Sequence, residues 1–225
     1  MELQNTVFSI LAVSAIIIVL ILLVNRSLRK FDPLSEPKGL VLLMIMLIRF
    51  VEGMLKDETN EKITEELGPY IGVTMIYIFL SNISGLLSIE PPTANFSVTL
   101  SLAAITCILI EVYSWKYRGF KGYLKSYFEP IAVLFPINLL SKVSTLASLS
   151  LRLFGNIVSG SILMMVIYAM LASVSGLIPV IGNFNFLGVI VAPALHFYFD
   201  LFAGLMQTYI FITLSITFIG KELPD

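Results

Sequence analysis

The sequence predicts an all-α integral membrane fold, on three observations. Hydrophobic residues make up 57% of the 225 positions and charged residues only 13%, with a mean hydropathy of +0.94, which is more apolar surface than one soluble core could hide. The apolar residues gather into long runs of span length. Apart from Lys142 and Arg152 inside the fourth run, lysine and arginine fall in alternate connections between those runs or after the last of them.

The first run, Val7 to Val24, carries no charge and at roughly 18 residues just reaches the length that crosses a hydrocarbon layer of about 30 Å. A secretory signal would have cations before its apolar stretch and a small-residue cleavage site after it. Here Glu2 precedes the run and Arg26, Arg29 and Lys30 follow it, so residues 1–30 are read as a first span. Residues 38–57 begin apolar and then place Arg49, Glu52 and Lys56 at helical spacing opposite Phe50, Val51, Met54 and Leu55, the pattern of an interfacial helix. Pro69 to Ile89 and Val98 to Trp115 supply spans two and three, within 69–115. Ile131 to Leu171 and Phe184 to Ile219 supply the last two, within 131–219, giving five spans in one membrane domain over 1–225.

The cations orient the chain. Arg26, Arg29, Lys30, Lys38, Arg49, Lys56 and Lys62 lie between spans one and two, Lys116, Arg118, Lys121 and Lys125 between three and four, and Lys221 after span five. The N-terminus, the Glu90–Ser97 loop and the Ser173–Asn183 loop have none, which predicts an outside N-terminus and a cytoplasmic C-terminus.

The last two runs are long. An unbroken helix from Pro136 to Leu171 would rise on the order of 50 Å, and one from a kink at Pro193 to Ile219 roughly 40 Å, against a slab of about 30 Å. They must tilt steeply or break, and two long tilted helices paired as a hairpin are expected. Reading the fourth run at steps of three and four gives Ser141, Thr145, Ser148, Arg152, Asn156 and Ser159 on one face. An arginine at a helix centre costs about 2.5–3.5 kcal/mol even on the lenient insertion scale, so this polar stripe must face protein or water. Arg152 could alternatively pair with Asp200 and simply lock two helices together. Serine and threonine in membrane helices commonly pack or bond their own backbone, so no single one is informative.

The fifth run gives a matching stripe of His196, Asp200, Gly204, Gln207 and Phe211. Asp200 is a carboxyl able to exchange a proton and His196, one turn away, an imidazole able to pass one on, although a single histidine near a helix start can be only an interfacial side chain. Gln207 and Asn156 can hold water or orient a carboxylate without changing charge.

Other chemistry is excluded. Cys107 is the only cysteine and His196 the only histidine, which rules out a disulfide framework and a cysteine- or histidine-rich metal cluster. There is no Gly-rich phosphate loop, no spacing that supports a Ser-His-Asp triad, and no basic patch for nucleic acid. The expectation is no metal, no cofactor, no nucleic-acid partner and no stand-alone catalysis.

The segment SLSLRLFGNIVSG from Ser148 resembles the a subunit of F-type ATP synthases, and the likeness continues in PTANFSVTLSLA from Pro92, RGFKGYLKSYFEP from Arg118, FPINLL from Phe135 and HFYFDLFAGLMQTYIF from His196. It covers roughly 69–219, with a weaker continuation through the first span. The resemblance implies an ion-translocating, non-catalytic stator subunit of a bacterial cell membrane. Its implied partners are a ring of c subunits, peripheral-stalk b subunits, the remaining synthase subunits and the lipid bilayer. It implies two half-channels against the ring, with Arg152 as the essential arginine between them and Asn156 and Gln207 as polar partners. Where relatives place a carboxylate or histidine nine residues beyond the arginine this chain has Ser161, and Asp200 stands where a partner histidine or glutamate often lies, so the relay is rewired. Leu140, Ser141 and Lys142 occupy the place of an acid near the start of the fourth run, and Glu111 or Glu129 is the substitute on the exit side. Ser148, Ser159, Ser161, His196 and Glu111 complete the candidate path. A self-contained channel or secondary transporter would show repeated halves or broken helices in corresponding positions, which are not seen. A membrane scaffold would not need Arg152 and Asp200 on two matched stripes.

Overall fold

A computed structural model describes residues 2–32, 36–87, 89–129, 131–177 and 185–223, with side chains from residue 6 onward. Every regular element among them is helical: α1 (Glu2–Leu28), α2 (Leu40–Lys56), α3 (Glu61–Ile83), α4 (Phe96–Ser126), α5 (Phe135–Ser175), α6 (Phe186–His196) and α7 (Ala203–Gly220), with a π turn (Phe197–Phe202) joining the last two. Five segments are long and apolar enough to cross a membrane: Thr6–Leu28, Glu61–Leu87, Phe96–Ser126, Ala132–Ser175 and Phe186–Gly220.

Each helix buries one narrow stripe and exposes apolar residues elsewhere, the reverse of a soluble bundle. Among the described side chains of α1 only Ser9, Val13 and Ile17, one turn apart, are buried, while Phe8, Leu11 and Leu22 are open. α2 starts at Gly39, whose φ of 59° favours glycine, and turns Val41, Val51 and Leu55 inward. At 17 residues it falls short of the roughly 20 that a span needs. Asn60 caps α3 by accepting from the Ile63 amide at 3.2 Å, and Ile63, Leu67, Ile71, Thr74 and Ile78 form its inner face. α3 therefore starts eight residues before the apolar run at Pro69, and that proline lies inside the helix. Asn95 caps α4 through the Ser97 amide at 2.9 Å. α4 also outruns its apolar run, continuing past Trp115 through a kink at Gly119, where φ 68° and ψ 164° leave the helical region.

α5 is one helix of 41 residues, about 60 Å by its rise, so it does not break. The proline expected to start the last long helix, Pro193, lies inside α6 instead. The core forms where α3, α4, α5 and α7 meet, around Ile71, Ile78, Ala103, Leu149, Leu153, Phe211 and Ile212.

One polar knot fixes α7 within this apolar core. Asn82 donates from Nδ2 to the Gly204 carbonyl at 3.1 Å and accepts on Oδ1 from Thr93 Oγ1 at 3.0 Å. A Cβ on Gly204 would come within 3.0 Å of Asn82 Cβ, so glycine permits the approach of α3 and α7. Gly204→Val is expected to lower stability by about 1–3 kcal/mol through overpacking. A reduced thermal unfolding midpoint in detergent would show it, and an unchanged midpoint would contradict the close approach.

Candidate functional site

Because α5 is regular, the spacing read along it holds in space. Ser141, Ser148, Arg152 and Ser159 are exposed, and Thr145 and Asn156 are half-buried. Leu149, Leu153 and Ile157, one turn apart, bury the adjoining face and so turn Arg152 out of the bundle. Phe154 packs edge-on against Phe96 at 5.6 Å, anchoring α5 to α4 two residues from the arginine. Among the described residues no ion pair or hydrogen bond engages the side chains of Arg152, Ser148 or Asn156. The Thr145, Ser159 and Ser161 hydroxyls are taken up by their own helix, donating to the carbonyls of Ser141, Asn156 and Ile157. Around Arg152 the open surface is apolar, with Leu151 and Ile162 each more than half exposed. Arg152 is a cation on a face that needs a partner.

That partner is not Asp200, and the internal lock between the two is corrected. Asp200 Oδ2 lies 2.5 Å from His196 Nδ1 on its own helix, and His196 Nε2 lies 3.2 Å from the Tyr168 hydroxyl at the far end of α5. Asn185 secures this corner. Its side chain accepts from the Gly188 amide at 2.9 Å, capping α6, and donates to the Tyr168 carbonyl at 3.3 Å.

The second stripe is not continuous, which is a further correction. The π turn at Phe197–Phe202 adds a residue to the helix and rotates α7 against α6 by about one residue step of 100°. His196 therefore faces Tyr168 at the far end of α5 and Asp200 lies beside Gly85, while Gly204, Gln207 and Phe211 turn into the core. Gln207 is 6% exposed, and its Nε2 is buried without a hydrogen-bond partner. Gly160 backs onto the Phe199 ring, with 3.8 Å between a built Cβ and the ring. Arg152 and Gln207 each lie eight residues, about 12 Å of helix, from that contact toward the cation-rich end, so they share a level in the hairpin.

At the cation-rich end, Lys142 sits between two carboxylates, 2.9 Å from Glu111 and 3.1 Å from Glu222. Ser114 Oγ donates to Glu222 at 2.8 Å, and Arg118 pairs with the same carboxylate at 3.4 Å. Tyr127 Oη donates to Glu111 at 3.0 Å, and burial pushes the Tyr127 phenol above its ordinary range, which keeps it a donor. A cavity of about 240 Å³ is lined by Glu111, Lys142 and Glu222 together with Ser141 and Thr145, so the Arg152 stripe opens into this charged cluster. Glu129 does not join it, being more than half exposed and paired with Lys125 on the adjacent turn.

Sequence reasoning missed Tyr168, Glu222 and the pairing of Lys142. Tyr168 lies two turns beyond Ser161 on the same face, so extending the stripe from Ser161 would have reached it. Glu222 and Lys142 meet only through the tertiary fold, and no spacing signals them.

A family model described as ATP synthase A chain matches residues 6–220. Curated relatives include an ATP synthase subunit a of Mycoplasma pneumoniae, 31% identical over 96% of this chain and 78% of its own length. Another from Priestia megaterium is 29% identical over 99% of this chain and 92% of its own. A third, the sodium ion specific ATP synthase subunit a of Propionigenium modestum, is 31% identical over 69% of this chain and 54% of its own. With the family model spanning nearly the whole chain, this protein belongs to the ATP synthase A chain family, whose members are non-catalytic membrane subunits.

Proposed function

We propose that this chain is the stator subunit that carries protons across the membrane against a rotating ring of c subunits in a bacterial F-type ATP synthase, with Arg152 separating two half-channels. The observation that carries the reading is the unpaired Arg152 on the open face of α5, ringed by apolar surface. A guanidinium placed there is costly in lipid and favourable only against a carboxylate brought to it from outside the chain. Its fixed charge favours the ionised form of that carboxylate, drives off its proton, and blocks direct leakage between the half-channels.

With the cation-rich end on the cytoplasmic side, the N-terminus is outside and α2 lies at the inner interface. Protons enter past His196 and Asp200 and reach the level of Arg152, where Asn156 and the buried amide of Gln207 flank the ring's carboxylate. They leave along Ser148, Thr145 and Ser141 into the cavity at Glu111. Peripheral-stalk b subunits hold the chain against rotation.

The test is co-purification from the native membrane. A ring of small two-span subunits is expected to travel with this chain, and vesicles of that complex are expected to make ATP on an imposed proton gradient. Absence of a ring overturns the proposal, and synthesis that needs a sodium gradient overturns its choice of ion.

A further inference from the structure

We infer that Tyr168 is the α5 member of the proton-uptake relay, handing protons to His196 and standing in for the acid that Ser161 lacks. The inference rests on the function proposed above and adds a residue that no motif marks.

The geometry is a continuous chain across the two long helices. Tyr168 Oη is 3.2 Å from His196 Nε2, and His196 Nδ1 is 2.5 Å from Asp200 Oδ2. Both imidazole nitrogens are thus engaged, one by a phenol from α5 and one by a carboxyl from the π turn. Ser161 cannot serve instead, since its hydroxyl donates to the Ile157 carbonyl at 2.9 Å within its own helix. The corner is held in register by Asn185, which bonds the Tyr168 carbonyl and caps α6, and by Ser175, whose hydroxyl donates to Asn185 at 3.3 Å. Asp200 sits beside Gly85, with 3.8 Å between a Cβ built on that glycine and the carboxyl.

The step conserves its protons. A proton arriving from outer water at Tyr168 Oη releases the phenolic proton to His196 Nε2. The resulting imidazolium gives its Nδ1 proton to Asp200 Oδ2. One proton has entered, one sits on Asp200, and the imidazole is left as its other tautomer, which resets when water gives a proton to Nδ1 and takes one from Nε2. The His196 side chain is 39% exposed, which admits the water for that exchange. A phenol, an imidazole and a carboxyl in series carry protons by hydrogen-bond exchange, a route that does not serve a metal cation needing a shell of oxygens.

The test uses the whole synthase in native vesicles, stripped of its peripheral catalytic sector so that passive proton flow through the membrane sector is read directly. Tyr168→Phe keeps the ring and removes only the hydroxyl. It is expected to slow flow roughly tenfold, because water in its place only partly bridges the gap, and millimolar imidazole on the outer side is expected to restore most of the rate. Ser173→Ala, on the same helix and outside the path, is expected to leave flow unchanged. Unchanged flow in Tyr168→Phe overturns the inference, and so does a loss that imidazole fails to rescue, since that marks a packing role. Arg152→Ala measured alongside separates the two readings: coupling lost there with normal flow in Tyr168→Phe removes the relay and leaves the proposed function standing.

Discussion

Arg152→Ala is expected to abolish ion-driven ATP synthesis while the chain still inserts and joins its complex. The side chain has no partner among the described residues, and the neighbours that hold α5 in place are Leu149, Leu153 and Phe154, which the substitution leaves alone. Truncation also relieves the helix of an unpaired cation, so folding is not the expected casualty. What disappears is the only fixed charge on the open stripe of α5. Removing one preorganised charge from a low-dielectric site typically lowers rates on the order of a hundred- to a thousandfold, and here the half-channels would also short-circuit. ATP synthesis in inverted vesicles, with co-purification of the ring as the assembly control, measures both parts. Normal coupled synthesis would sink the mechanism. Arg152→Lys is not a safe conservative control, because an ammonium lacks the planar fork of donors and can lose its proton.

Asp200→Asn has the next largest expected effect. The amide oxygen can still accept from His196 Nδ1, so the i, i+4 contact of 2.5 Å survives in outline and the π turn need not rearrange. An amide cannot take up a proton, so the relay ends one group short. Proton uptake in reconstituted vesicles is expected to fall on the order of a hundredfold, the lower range for loss of a positioned acid-base group. An unchanged rate would refute a relay role for Asp200. The loss should exceed that of Tyr168→Phe, since water can replace a terminal hydroxyl at the mouth more readily than a carboxyl in the middle of the path.

Composition and run length made the five spans legible, because lipid tolerates only self-satisfied helices and each one announces itself as a long apolar run. Their ends were less legible. α3 begins among Glu61, Lys62, Glu65 and Glu66, charges that mask a helix whose apolar run starts later. α4 runs on beyond Trp115 on Tyr and Lys residues until Ser126, and nothing in those residues reveals that Gly119 breaks its axis. The α5 stripe could be read because spacing of three and four maps faithfully onto an unbroken helix. The stripe from His196 to Phe211 could not, because the Phe197–Phe202 turn carries an extra residue that the apolar sequence FYFDLF does not signal. The Lys142 cluster was equally hidden, since Glu111 and Glu222 reach it from other helices.

That extra residue makes the length of this segment as important as its composition. Deleting one position between Phe197 and Phe202 would close the turn into ordinary α-helix and swing everything beyond it by about 100°. Gly204 would swing off Asn82, Gln207 would leave the core, and a larger residue would be driven against α3. A substitution anywhere in the segment alters one side chain, whereas a deletion reassigns the face of every residue in α7. The π turn thus works as a frame marker: it lets one run of residues set His196 against Tyr168 of α5 and, further on, Gly204 against Asn82 of α3.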